Sequence, residues 1–203
     1  MTNKRGILLG LVLCITICMF GCGQSTESKS MVEQYFGKEI HIGEVVTFGA
    51  YESDGDTTNG AERIRWNVYN IEGNYLCLVA EECIERISFN VEEDEYTGSA
   101  IHKWLTEEFY SLAFTDAEKR MLGGDELVLL PHINQTNQDA KYAKSIQIRD
   151  KLTKEYATYW VMDDERNLYA TDFWGNVIAE PMQKKNGVRP MIFIDVSLAP
   201  NVG

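Results

Sequence analysis

From Val45 to Tyr51 (VVTFGAY) apolar and polar positions alternate, with Val46, Phe48 and Ala50 on one face. That is the period-two signature of a half-buried strand. After the polar stretch Glu52–Gly60, the alternation resumes with Ile64, Trp66 and Val68 set against Arg63, Arg65 and Asn67. A Gly73-Asn74 turn leads into Tyr75 to Ala80 (YLCLVA), so this part of the chain predicts an antiparallel meander with one solvated face. The period then changes. Ile101, Trp104, Leu105 and Phe109 fall at i, i+3, i+4 and i+8, one apolar stripe of a helix. Thr115-Asp-Ala-Glu118 has the spacing of a capping box, and Gly123-Gly124 supplies a stop. Leu127 to Leu130 predicts a short strand ended by Pro131, and Gln138 to Tyr156 has weak helical periodicity. Strand patterns return at Tyr159 to Met162, at Leu168 to Phe173 before a Gly175-Asn176 turn, and at Val188 to Val196. Strands, then helices, then strands again predict one α+β domain over 35–203, with antiparallel strands and one or two short helices.

The N-terminus follows other rules. Ile7 to Phe20 is an uncharged apolar run of 14 residues behind Lys4 and Arg5. A spanning helix needs ~20 apolar residues for ~30 Å of hydrocarbon. Fourteen suits the apolar region of an export signal instead. The run ends in Met19-Phe20-Gly21-Cys22, followed by a polar stretch from Gly23 to Ser30. This resembles the lipobox of bacterial lipoproteins, in which a small residue precedes a cysteine that takes diacylglycerol and becomes the mature N-terminus. Cys14 follows Leu13 and Cys18 follows Ile17, both too bulky, whereas Cys22 follows Gly21. Met19 departs from the leucine usual three residues before that cysteine. The resemblance implies a signal peptide over 1–21, lipid attachment at Cys22, a polar linker over 22–34, and a domain held at the extracytoplasmic face of the cell membrane.

Charge and cysteines agree with export. The chain has 19 Lys+Arg against 31 Asp+Glu, for −12, and removing 1–21 takes away Lys4 and Arg5 and no acid, which leaves −14. A body that acidic repels nucleic acid and anionic lipid headgroups, so no nucleic-acid partner is expected. Of five cysteines only Cys77 and Cys83 lie in the domain. Six extended residues span ~20 Å, far beyond disulfide reach, so two buried free thiols are favoured over a bridge.

Five segments, Gly43 to Tyr51, Trp66-Asn-Val, Ile101 to Phe109, Ala113 to Glu118 and Gly187-Val-Arg-Pro190, occur in an order that resembles an uncharacterised domain family of exported Firmicutes proteins. That family is thought to be related to the C-type-lectin-like fold shared with formylglycine-generating enzymes. The resemblance covers nearly all of 43–196 and implies a C-type-lectin-like domain. His102 stands where the family has Arg, Thr106 where it has Asn, and Trp160-Val-Met-Asp163 where it has a Trp-Leu-Arg-Ser-like segment.

Candidate chemistry is sparse. His41, His102 and His132 show no zinc-hydrolase spacing, and His102 reads as a helix-boundary residue with a polar tip. Counted from Asp54, positions 5, 6 and 12 of a calcium loop would be Thr58, Asn59 and Arg65, so the EF-hand pattern fails and Asp54 to Gly60 reads as a self-solvated loop. The acids of 81–95 read as a solvated face. No nucleophile elbow, Walker loop or dinucleotide fingerprint is present. No metal or cofactor is implied.

Trp66 and Trp104 occupy core positions, and Arg189 reads as half of a structural ion pair. Trp160, beside Tyr159 and ahead of Asp163-Asp164-Glu165, and Trp174, at a Gly-Asn turn, are the candidates for ligand binding, together with Asp163 and Asp164, although closure of the core edge is the favoured reading of both rings. An aromatic face accepts sugar C–H groups while carboxylates take hydroxyl or amide donors. The expectation is a non-catalytic, lectin-like binding module whose partners are the membrane, through its anchor, and a glycan or protein of the cell envelope. An extracytoplasmic enzyme using a carboxylate pair and a structural envelope accessory protein remain as alternatives.

Overall fold

The computed structural model describes residues 29–89, 96–124, 126–133 and 148–200. The signal segment and Cys22 lie outside the described residues, as do 138–147 of the stretch expected to be weakly helical and 90–95 of the acidic window. The protein is an α+β domain with ten strands in two five-stranded sheets among the described residues. The first sheet has the order β1 (Val45–Tyr51), β2 (Glu62–Glu72), β3 (Tyr75–Ala80), β10 (Met191–Asp195), β5 (Leu122–Gly123). The second has the order β4 (Glu85–Ser88), β9 (Lys185–Val188), β6 (Tyr159–Met162), β7 (Leu168–Thr171), β8 (Val177–Ile178). All pairings are antiparallel except β6 with β9. No helix among the described residues is long and apolar enough to cross a membrane.

The chain is structured earlier than its composition suggests. Ser30 caps α1 (Met31–Phe36) by accepting from the Glu33 amide at 3.0 Å, and Val32 is buried in the core. The domain therefore starts inside the stretch expected to be linker. In β1 a bulge between Thr47 and Ala50 shifts the register against β2. Phase is lost there: Tyr51, not Ala50, follows Val46 and Phe48 into the core. β3 is buried on both sides at its centre. Leu76, Leu78 and Ala80 join the main core, while Cys77 and Val79 pack with Met191 on the face expected to be solvated.

The apolar stripe forms one helical run with an interruption. α2 (Ala100–Lys103), capped by Ser99, passes into a π-helical turn over Trp104–Phe109 and out into α3 (Tyr110–Ala113). The Tyr110 amide donates to the Leu105 carbonyl, five residues back. Ile101, Trp104, Leu105 and Phe109 are all buried, as the stripe predicts. His102 lies at the boundary, its ring edge-on to Tyr96 at 5.0 Å. The helices outnumber the one or two expected, because α1 and α4 (Asp116–Met121) flank this run.

α4 begins with the capping box read from the sequence. The Glu118 carboxylate accepts from the Thr115 amide at 2.9 Å, and the Thr115 hydroxyl accepts from the Glu118 amide at 3.3 Å. The same carboxylate accepts from the Gly49 amide at 3.1 Å, which ties the helix to the β1 bulge. Across the molecule Asp150, nearly buried, holds Arg86 at 2.6 Å and accepts from the Thr153 amide. Burial alone would raise both acids. For Glu118 the Thr115 and Gly49 donors and the Arg63 charge outweigh it, and for Asp150 the Arg86 and Thr153 donors do, so both are held below the ordinary carboxylate range. A carboxyl with a depressed folded pKa adds stability above its unfolded value and loses that contribution as pH falls through the folded one. Stability is therefore expected to drop below about pH 4, and Glu118→Gln to flatten part of that decline. Urea unfolding from about pH 6 to about pH 3 tests this, and an unchanged slope in the variant would refute it.

Two expected elements are corrected. Leu127–Leu130 is not a strand; only Leu129 bridges, to Met191. Val188–Val196 is two strands, because Pro190 lacks an amide hydrogen and the chain changes sheets there. Arg189 at that break makes no ion pair among the described residues. It is buried, donates to the Ala80 carbonyl at 2.5 Å, and lies 5.6 Å from the centre of the Tyr159 ring. Cys77 and Cys83 are unbridged and buried, and burial pushes both thiols up to about 12, which leaves them protonated and inert at neutral pH. Gly187 faces Cys83 so closely that a Cβ would overlap the sulfur, so glycine is required by space.

Candidate functional site

β7 separates the residues expected to share a ligand. The β6–β7 turn at its start carries Asp163 and Asp164, and the β7–β8 turn at its end carries Trp174. The two turns are built alike, each opening with an aspartate and closing with an asparagine four residues on. Asp163 accepts from the Glu165 and Asn167 amides, the Asn167 side chain and the Tyr169 hydroxyl. Asp172 accepts from the Trp174 and Asn176 amides and the Asn176 side chain. For Asp163 the Asn167 side-chain bond is the largest influence and lowers its pKa. For Asp172 burial pushes up, and the Asn176 and Trp174 donors more than offset it. Asp163 thus spends its acceptors on its own turn and offers little to a ligand.

Trp160 takes the core reading, not the platform one. β6 is a central strand covered on both faces, with Trp160 and Met162 in the main core and Tyr159 and Val161 packed beneath Ile148 and Ala157. Trp160 is 0% exposed, and its indole donates to the Ile87 carbonyl at 2.7 Å. No face is left to offer.

Trp174 is 44% exposed and has company the sequence did not single out. Its ring lies 5.2 Å from Phe173, and Phe173 stacks on Tyr156 at 4.8 Å with 24° between planes. Tyr156 is 46% exposed. The Arg149 guanidinium covers it 4.5 Å from the ring centre. The Ile148 amide donates to the Phe173 carbonyl, which docks the 148–156 segment beside β7. The result is a surface ladder in the order guanidinium, phenol, phenyl, indole, with the indole tilted 42° to the phenyl. Trp174 ends it, about half exposed.

At the other end of β7, Asp164 reaches His132 with 2.9 Å between carboxylate and Nδ1. Arg166, in the left-handed region at φ 66°, pairs with Glu126. These four residues and Met162 line an open cleft of about 230 Å3. An imidazole beside a carboxylate can take or give a proton, and among the described lining residues there is no hydroxyl or thiol for it to activate.

For a cation, the described residues bring together the Glu52, Asp54 and Glu62 carboxylates, with ligand oxygens all within 4.8 Å of one another. Asp54 mainly serves its loop, accepting from the Asp56 amide and the Asn59 side chain, in keeping with the self-solvated loop expected there. The described acids of the 81–95 window are tied to neighbours: Glu81 to Arg65, and Glu82 to Lys151 at 3.8 Å. The chain matches no protein-family model, no curated protein and no solved structure.

Proposed function

We propose that this protein is a lipid-anchored, extracytoplasmic, non-catalytic binding module of lectin-like type, and that it holds its ligand on the Tyr156–Phe173–Trp174 stack. The observation that carries this reading is that stack. Large aromatic side chains are ordinarily drawn into the core, yet here two rings of a three-ring ladder, Tyr156 on the 148–156 segment and Trp174 on the β7–β8 turn, stay about half exposed. Rings braced by one another lose little freedom when a ligand arrives, so more of the contact energy appears as affinity. A sugar ring suits the open indole face because its C–H groups can lie flat against it. Anchoring rests on Cys22: two or three acyl chains at ~0.8 kcal/mol per buried methylene hold a protein at a bilayer stably.

The full chain is expected to fractionate with membranes and take up labelled palmitate, whereas Cys22→Ser is expected to do neither. Trp174→Ala in the full chain is expected to lower binding to neutral cell-wall glycans about tenfold, a loss of ~1.4 kcal/mol, with little change in melting temperature. Unlabelled protein in both forms would remove the anchor. Binding that ignores Trp174 would remove the platform.

A further inference from the structure

We infer that the ligand of this stack is a saccharide carrying an isolated carboxylate, and that Arg149 reads that group; the inference rests on the aromatic-platform reading above. Its starting point is an imbalance of charge. The chain carries 31 acids against 19 basic residues, and Arg63, Arg65, Arg86 and Arg166 each have a carboxylate partner, whereas the exposed Arg120 and Arg149 and the buried Arg189 have none among the described residues. Arg149 has none although the carboxylates of Asp150 and Glu155 are close in sequence. Asp150 is committed to Arg86 and Thr153, and Glu155 makes no ion pair with Arg149.

Nor is Arg149 a loose surface cation. One terminal nitrogen donates to the Lys154 carbonyl at 2.8 Å, the other to the Tyr156 hydroxyl at 3.3 Å, and the plane sits over the Tyr156 ring. The Lys154 carbonyl is aimed by a left-handed backbone, φ 60°, which a residue with a Cβ adopts at a cost of about 1 kcal/mol or more. The local fold thus accepts strain in a turn that holds this guanidinium still. Two of its five N–H groups are occupied, which leaves donors for an incoming oxyanion.

A fixed fork with no carboxylate partner among the described residues favours a planar carboxylate, which it can grip with two parallel hydrogen bonds. The other end of the stack is the open Trp174 face, which takes the apolar side of a sugar ring. The ligand class follows from both ends together: a flat C–H surface with an acid group beyond it. A densely charged polymer fits poorly, because a body at −14 repels it. One isolated carboxylate does not meet that penalty, since charges more than a Debye length of ~8 Å away are screened at physiological salt.

The test measures binding of the full chain in detergent to tetrasaccharides, long enough to run from Trp174 to Arg149, that end in glucuronic acid, and to the same tetrasaccharides with that carboxyl reduced to the alcohol. Wild type is expected to prefer the acids about tenfold. Arg149→Gln is expected to erase the preference, lowering the acids about tenfold and the neutral sugars far less, Arg149→Lys to restore only part of it, and Trp174→Ala to weaken both series. An Arg149→Gln loss that is equal for acid and neutral sugars, or a wild type without preference, would overturn the role of Arg149 and leave the platform standing. Failure of both series to bind, or binding indifferent to Trp174, would overturn the platform itself and the inference with it. Matching melting temperatures in all variants keep misfolding out of the comparison.

Discussion

Gly49→Ala is expected to destabilise the domain by roughly 2–5 kcal/mol and to lower its melting temperature by about 10 °C. Two costs add. Gly49 sits at φ 69°, where a side chain strains the backbone by ~1–2 kcal/mol. A Cβ there would also lie 2.6 Å from the Ala113 carbonyl oxygen and 2.8 Å from the Phe114 ring. Relief requires moving the end of α3 or the Phe114 ring, and that ring packs against Phe48, Trp66 and Phe109. The Gly49 amide would then lose its acceptor on Glu118, coupling the damage to the cap of α4. Urea and thermal unfolding measure the cost. A variant as stable as wild type would mean that the bulge is not held as described.

Trp160→Ala is expected to cost about 3–5 kcal/mol, the range for emptying a buried aromatic site. It also leaves the Ile87 carbonyl without its indole donor, on the short strand β4. Trp174→Ala, by contrast, removes a ring that is half in solvent and is expected to change stability by under about 0.5 kcal/mol. The pair separates two roles that the sequence does not distinguish. Folding should fail at the first tryptophan and binding at the second. If Trp160→Ala unfolds at the wild-type urea concentration, the central position of β6 is wrong.

The strands whose alternation is simple could be read directly, and so could the Thr115–Glu118 cap, because each depends on neighbours within a few residues. What escaped depends on distant contacts. The acidic turn after Trp160 leaves platform and core edge both open for it, and strand β6 is covered on its outer face by the 148–157 segment, a cover that nothing local announces. The same cover brings Tyr156 and Arg149 to Phe173. They arise in a stretch without clear periodicity, so the ladder that best explains Trp174 was hidden by separation along the chain. His132 showed no spacing to another ligand, and its partner Asp164 lies 32 positions on. The one available hint was the Phe173-Trp174 pair inside a tight turn, where bulky apolar neighbours have little core to enter.

The bulge in β1 and the π-helical turn before α3 are each a single supernumerary residue, and they meet where Gly49 abuts Ala113 and Phe114. Neither can be trimmed alone. Deleting one position from 104–109 would wind the run back to regular α-helix and swing Ala113 about 100° around the axis, away from the notch at Gly49. Deleting Gly49 from β1 would restore plain alternation with Tyr51 still facing inward, but would leave that notch without its glycine and Glu118 without the amide it accepts from. Length changes in this domain should therefore be inherited jointly at these two places or rejected, while the Asp54–Gly60 loop is free to grow and shrink.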